Sequence, residues 1–389
     1  MSLSGATALV GIGATEFSKA SGRSELQLAC EAVTTAIADA GLRPSDVDGL
    51  VTFTAESSSE IHLARNVGIG ELSYFGRVGY GGGAACGTVA HAAAAIHAGL
   101  AEVVVCWRAF NERSGERYGL GQAGRPMDTS ADRAAYSWMT PFGLSTPAQW
   151  VAMFARRYQH EYGATSEDFG RISVLDRARA ATNPRAHFFE RPITLADHQA
   201  SRWIAEPLRL LDCCQETDGG QALVVTTADR AKDLRHRAAY ILGAAQGSGA
   251  DQHMMTSYYR PSISGIPEMG LVGDQLWAQT GLGPGDVQAG ILYDHFTPLV
   301  LTQLEELGFC RRGEAADFVR DGHLDLDGSL PLNTHGGQLG EAYLHGMNGI
   351  AEAVRLVRGT SVNQPGVVAH VVVTAGTGVP TSGLVLGSA

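Results

Sequence analysis

One segment of this chain is written twice. Gly41-Leu-Arg-Pro-Ser-Asp-Val returns as Gly281-Leu-Gly-Pro-Gly-Asp-Val, each time after a helical pattern and before a short apolar run. The strand-like runs upstream correspond as well, TALVGIG near residue 10 and YILGAAQG near residue 243. A strand–helix–turn–strand order that recurs within one chain marks an internal duplication. Such units favour parallel strands sandwiched by helices. The expected architecture is therefore α/β, with one half over residues 1–235 and a second over 236–389. A cover region is inserted in the first half at about 107–210.

Local patterns fill in this frame. Ala6 to Ile12 suits a buried strand. The Gly-Ile-Gly-Ala within it lacks the third glycine and the prompt helix that a dinucleotide fingerprint needs. Ser24 with Gln27 reads as a capping box opening a helix to about Ala40. Ala84 to Ala98 is a small-residue helix able to pack closely at the molecule's centre, with His91 and His97 expected to be packed. Pro147 to Tyr162 and Ser166 to Ala181 read as helices, the second stopped by Asn183-Pro184. Between them and the small-residue helix, Trp107 to Pro147 is aromatic and glycine-rich (Tyr118, Tyr136, Trp138, Phe142). It is expected to cover a site or form an interface.

Composition excludes several functions. A net charge of −11 over 389 residues argues against nucleic acid or an anionic membrane as the main partner. No apolar run reaches membrane-spanning length. The N-terminal segment lacks the basic start of a signal peptide, and the six cysteines show no metal-type pairing, so a reduced cytoplasmic protein is expected. Of 29 basic side chains only Lys19 and Lys232 are lysines. Imine chemistry needs a desolvated lysine, and both are expected to be exposed.

The chemistry concentrates in Pro331 to Ile350, PLNTHGGQLGEAYLHGMNGI. A glycine-rich loop that feeds a helix start exposes backbone N–H groups and permits close approach of a ligand. In the following helix Ile350, Val354 and Val357 share one face, while Glu352, Arg355 and Arg358 point elsewhere. The loop resembles the thiolase signature N-x-x-G-G-x-x-x-x-G-H-P-x-G-x-x-G, in which the histidine is catalytic. Asn333, Gly336, Gly337, Gly346 and Gly349 match it, whereas Ala342, Tyr343 and Leu344 stand at the G-H-P positions. The YGAT, NPRA, DCC and TDGGQA words between Tyr162 and Ala222 fall in the order of sterol-carrier-protein-type thiolases. ILYDHFTPL resembles their H-D-C-F segment, with Tyr293, Asp294, His295 and Phe296 at those places.

This resemblance implies a thiolase fold, a layered α-β-α-β-α sandwich of two halves. It also shows what is missing. Counting from Gly99, the nucleophile's place falls near Gly82, and Cys86 lies about a turn further in as a small buried residue. No cysteine follows Cys310, so the second thiolase cysteine is absent. Acyl transfer through a cysteine thioester is thereby closed, and two tyrosines stand where two histidines would face the reaction centre. Chains of this kind resemble the lipid-transfer-protein-type aldolases of bacterial steroid side-chain degradation. The resemblance implies retro-aldol cleavage of a β-hydroxyacyl-CoA steroid, such as 17-hydroxy-3-oxo-pregnene-20-carboxyl-CoA to androstenedione and propionyl-CoA. A non-catalytic acyl-CoA or lipid carrier, or a thiolase-like enzyme acting on another acyl-CoA, are the alternatives.

A phenol, with a reference pKa of about 10, can act as acid–base toward an alcohol with modest tuning. Tyr343 is expected as base and Tyr293 as proton donor or enolate stabiliser, oriented by His295, His335 and Asp294. Asn333, Gly336, Gly337 and Gly346 are expected at the substrate. No cofactor is implied, coenzyme A being part of the substrate. A metal site built from His295, His335, His345 and Asp294 is the in-class alternative. The resemblance further implies a homodimer, with Gly79 to Ala95 at its interface, that works with an OB-fold partner domain of an acyl-CoA hydratase. Cleavage is expected to persist in excess EDTA and to leave no borohydride-trapped adduct. Loss with chelator and rescue by zinc, or a trapped lysine, would each reverse this.

Overall fold

The computed structural model describes residues 3–388 apart from 116, 118, 120–133 and 135. Eleven strands are present among them. They are β1 Thr7–Ala14, β2 Gly49–Phe53, β3 Tyr74–Val78, β4 Val103–Asn111, β5 Trp203–Ala205, β6 Leu208–Arg209, β7 Asp218–Thr227, β8 Ala239–Gly247, β9 Ala289–Ile291, β10 His370–Ala375 and β11 Thr381–Gly387. The longer helices are α1 Glu25–Asp39, α2 Glu60–Val67, α3 Ala85–His97, α4 Pro147–Tyr162, α5 Ser166–Thr182, α6 Pro267–Thr280, α7 Thr297–Glu306 and α8 Met347–Arg358. Caps set several starts as the sequence indicates, Ser24 accepting from Gln27 N and Thr165 forming a capping box with Asp168.

The strands run in the order β3-β2-β4-β7-β1-β8-β11-β10-β9. The two halves meet where β1 and β8 pair antiparallel through Ala8–Tyr240 and Leu9–Ala239. Reading outward from that seam, β1, β7, β4, β2 and β3 are mirrored by β8, β11, β10 and β9. The parallel bridge Gly290–Leu332 stands at the fifth place. The duplication is thus visible in strand pairing. The expectation of parallel strands holds only for the outer ones, β2 with β3 and β4, and β9 with β10. The inner pairs are antiparallel, because each half ends in a strand that returns beside its predecessor, β7 on β4 and β11 on β10.

Three apolar clusters give the layers. The first joins α1 and α2 (Leu28, Val33, Leu63) to one face of the first half's strands (Val10, Leu50, Val105). The central one holds α3 and α8 (Val89, Ala92, Ile350, Val354) between both half-sheets, touching Val51 and Leu223 on one side and Val373 and Leu384 on the other. The third packs α6 and α7 against the far face of the second half, with α4 and α5 alongside. This is the α-β-α-β-α order.

Several local expectations are corrected. Glu352 and Arg355 do not face solvent; α8 lies in the central layer, so both are buried. Glu352 is satisfied by Thr334 Oγ1 (2.6 Å), Ser361 Oγ (2.5 Å) and Arg355 Nη1 (3.0 Å). Trp107 belongs to β4 and is fully buried rather than part of a cover, while Tyr118 lies outside the described residues. His97 is exposed in the last turn of α3 instead of packed. The Gly79 to Ala95 run is mostly buried inside the chain, and the exposed surface beside it is the edge strand β3 with Phe75.

Close packing of α1 on β1 depends on Gly13, where a Cβ would lie 2.2 Å from Ala36 N and 2.3 Å from Ala32 O. Gly13→Ala is expected to lower the guanidinium unfolding midpoint, costing about 1–3 kcal/mol or more. Gly285→Ala, whose Cβ meets nothing within 4 Å, should stay within about 0.5 kcal/mol of wild type. Equal midpoints for the two variants would show that α1 can shift freely.

Candidate active site

The short turn Gly81–Ala84 leads into α3, and a Cβ placed on Gly82 would lie 2.1 Å from Tyr293 Oη. The phenol of Tyr293 therefore fills the space into which a nucleophile at position 82 would project. Tyr293 follows β9 and is fixed through its backbone. Its N–H donates to Thr374 Oγ1 (2.9 Å), and its carbonyl accepts from Gln303 Nε2 (2.8 Å). Tyr343 is anchored likewise, its N–H donating to Thr217 Oγ1 (2.9 Å). The two rings meet edge-on at 6.5 Å, and Tyr293 Oη donates to Tyr343 Oη at 3.2 Å. Burial pushes both phenols well above their ordinary value. Both hold their protons at neutral pH.

Two histidines flank the pair. His295 packs its ring 4.8 Å from that of Tyr293, and Thr377 Oγ1 lies 3.3 Å from its Nδ1. Burial lowers its pKa to about 3, so it is neutral. His345 stacks between Phe53 and Phe110, with centroids at 5.8 and 5.1 Å. Its Nδ1 accepts from Arg108 Nε (3.1 Å), and Arg108 in turn pairs with buried Glu56 (2.9 Å). Burial, then Arg108, holds the imidazole well below its usual range. The neutral ring must therefore carry its proton on Nε2, as a donor.

These groups line a cavity of about 850 Å³. Tyr293, Tyr343, His295, His345 and Gly82 form its floor; Trp150, Ile204, Leu210, Met254 and Phe296 give it an apolar wall. Lys19, Glu112, Arg113, Arg117, Gln215 and Glu216 make a polar side. Lys19 corrects an expectation. It is half-buried and not solvated, its Nζ donating to Gln215 Oε1 (2.9 Å) and the Glu216 carbonyl (2.7 Å), and burial lowers its pKa. Lys232 is exposed as expected.

The remaining expected site residues stand behind the cavity. Asp294 is buried and accepts from Gln338 N (2.8 Å) and Leu339 N (3.0 Å), so it fixes the 337–340 turn rather than polarising a tyrosine. His335 is buried with its Nε2 4.0 Å from Glu341, outside the cavity lining. Asn333 accepts from Leu292 N (3.0 Å). Gly336 and Gly337 pack against Ala180 and Asp294, where a Cβ would fall at 2.6 and 2.1 Å. Gly346 packs on the Tyr293 ring. None of these four reaches the cavity; they let the loop approach α5 and Tyr293 closely. Cys86 is fully buried, its Sγ 3.8 Å from the Val373 carbonyl, and burial pushes its thiol up. Among the described residues no three His, Cys, Asp or Glu side chains are arranged to hold a metal ion.

Sequence reasoning gave no site role to Arg108, Glu56 or Glu112, and considered His345 only as a ligand of the alternative metal site. For Arg108 a signal existed, since a charge inside VVVCWRAF demands a buried partner. Glu112 carried none.

Comparison with known proteins agrees with this geometry. Residues 7–229 match the thiolase N-terminal domain, and 249–387 match the thiolase C-terminal domain-like family. The chain is 78% identical over 386 residues to a steroid side-chain-cleaving aldolase of Thermomonospora curvata, covering 99% of each. It is 64% identical over 385 residues to a 17-hydroxy-3-oxo-4-pregnene-20-carboxyl-CoA lyase of Mycobacterium tuberculosis, covering 99% of this chain and 100% of that one. A solved Ltp2–ChsH2(DUF35) aldolase superposes with a TM-score of 0.96 at 74% identity, over 100% of this chain and 99% of its own. The chain thus belongs to the thiolase family and, within it, to the steroid side-chain-cleaving aldolases.

Proposed function

We propose that this lyase cleaves the side chain of a 17-hydroxy-3-oxo-4-pregnene-20-carboxyl-CoA-type thioester by a retro-aldol reaction, with the Tyr293–Tyr343 pair relaying the proton. The observation that carries this reading is the 3.2 Å hydroxyl–hydroxyl contact at the vacated nucleophile position. In the reaction the Cα–Cβ bond breaks, its electron pair forms a thioester enolate, and the β-hydroxyl becomes a ketone. The proton leaving that hydroxyl has its counterpart in the one that must reach Cα. Two neutral, hydrogen-bonded phenols can accept the first and deliver the second in one passage. No free phenolate is needed, and burial disfavours one in any case.

Tyr343 is assigned as acceptor and Tyr293 as donor; for this direction the Tyr343 hydroxyl turns to donate to Tyr293, reversing the resting hydrogen bond, so that it passes its own proton on as it takes the substrate's. His345 Nε2–H, set by the Arg108–Glu56 pair, is a donor for the enolate oxygen. His295 packs against the Tyr293 ring and keeps it in place. The apolar wall suits a steroid nucleus, and no cofactor beyond the substrate's coenzyme A enters. Tyr343→Phe and Tyr293→Phe keep the rings and are each expected to lower kcat by about 10²-fold or more. The assay is mass-spectrometric detection of the released short acyl-CoA. Both variants within a few fold of wild type would remove the hydroxyls from the mechanism, and no release by wild type would favour a carrier.

We further propose a cytoplasmic homodimer that binds an OB-fold partner domain. Support comes from the six free cysteines, from the DUF35 partner in the name of the solved relative, and from exposed aromatics. Trp138 and Phe142 are 79% and 80% exposed. Light scattering should give a dimer of the chain alone and a heterotetramer with the partner, and cleavage should rise on its addition. A stable monomer with full activity would exclude this assembly.

A further inference from the structure

Glu112 is the residue that the tyrosine relay leaves unexplained. It follows the last residue of β4, Asn111, and precedes a turn pinned by Asp218. Arg113 N and Ser114 N donate to Asp218 Oδ1 at 2.9 and 3.0 Å. That turn fixes Glu112 in the lining of the reaction cavity, where it is 3% exposed. Its Oε2 is sealed from solvent and has no hydrogen-bond partner among the described residues.

Two cations near it, Arg108 and Lys19, favour its charged form through space, but both make their hydrogen bonds elsewhere. Arg108 is committed to Glu56 and His345, and Lys19 to Gln215 and the Glu216 carbonyl. Glu216 is already held by Arg117 Nε (2.6 Å) and Gly119 N (3.1 Å), and its carboxylate repels a second one at Glu112. Asp218 adds to that repulsion, and Cys214, Tyr293 and Tyr343, the other titratable groups facing Glu112, are neutral. Burial, ahead of Glu216, pushes the Glu112 carboxyl well above the usual range. A buried carboxylate with an unpartnered oxygen is too costly to persist when a proton can neutralise it.

We infer that Glu112 is a neutral carboxylic acid in the resting enzyme and donates a hydrogen bond to the thioester oxygen as the enolate forms. This rests on the retro-aldol reading above. The proton stays on Glu112 throughout, so no further acid or base is required. A carboxylic acid kept neutral in an apolar site is a strong donor to an oxyanion, and with His345 Nε2–H it would complete a two-donor site.

The test compares Glu112→Gln and Glu112→Ala with wild type in the assembly that cleaves a β-hydroxyacyl-CoA steroid. Glutamine keeps a neutral donor, so Glu112→Gln is expected within about tenfold of wild type, and Glu112→Ala about 10²-fold lower. Wild-type kcat/KM should fall at alkaline pH as the carboxyl ionises, and Glu112→Gln should lack that fall. Infrared difference spectra of wild type against Glu112→Gln at neutral pH should contain a protonated-carboxyl band. A Gln variant as slow as the Ala variant, with wild-type rate rising with pH, would make Glu112 a base. Equal rates for all three proteins, or no protonated-carboxyl band, would equally overturn the inference. If wild type releases no short acyl-CoA, the retro-aldol reading falls, and the infrared band still decides the protonation of Glu112.

Discussion

The structure depends on two helices buried between two half-sheets. α3 and α8 come from equivalent places in the duplicated halves, and both must lie in the central layer for the strands on either side to be covered. That burial demands small residues on α3 and a satisfied ion network on α8, supplied by its alanines and by Glu352 with Thr334, Ser361 and Arg355. Its consequence is geometric. The N-termini of the two helices converge, so that a Cβ on Gly346, before α8, would lie 3.5 Å from Ala85 Cβ at the start of α3 and 3.1 Å from the Tyr293 ring. The active site is what the duplication places at this point of convergence.

Desolvation governs the chemistry there. It pushes Tyr293, Tyr343 and Glu112 up and His295 and His345 down, so each group moves toward its neutral form. The charges that do persist, Arg108 with Glu56 and Arg117 with Glu216, are paired. A neutral floor suits a reaction whose net proton change is zero. The carbon–carbon bond breaks while one proton is taken from oxygen and one is given to carbon, and no ion need be stored.

Much of this was legible in the chain. The repeated Gly-Leu-x-Pro-x-Asp-Val segment gives the duplication because its turn chemistry is local, and the structure forms it twice as short 3₁₀ turns at Pro44–Asp46 and Pro284–Asp286. Tyr293 and Tyr343 were legible because each replaces one residue in a spaced motif. What local pattern could not give was depth. Nothing within the IAEAVRLV periodicity separates an exposed from a fully buried α8, since that depends on a second sheet arriving from the other half of the chain. The same holds for Lys19 and Glu112. They stand far from the signature loop in sequence and reach the cavity only in the fold, Lys19 held by Gln215 and Glu216 and Glu112 placed by the end of β4. Asp294 and the loop glycines were misjudged for the converse reason. A residue beside a reactive tyrosine in sequence faces the opposite way when the backbone is extended, and here it fixes the turn behind.

Position 82 shows why the loss of cysteine and the gain of tyrosine belong together. A side chain there would need the volume that the Tyr293 hydroxyl occupies, its Cβ falling 2.1 Å from Oη and 2.6 Å from the ring carbon that bears it. Tyr293 cannot withdraw easily. Its backbone is held by Thr374 and Gln303, which also bond each other at 2.6 Å, and Gly346 closes the other side of its ring. A nucleophile on α3 and a phenol at 293 are therefore alternatives for one volume, and overpacking both would cost more than either contributes. Within this frame, changing the reaction meant exchanging one occupant of that volume for another. The neutral phenol is the occupant that the surrounding burial favours.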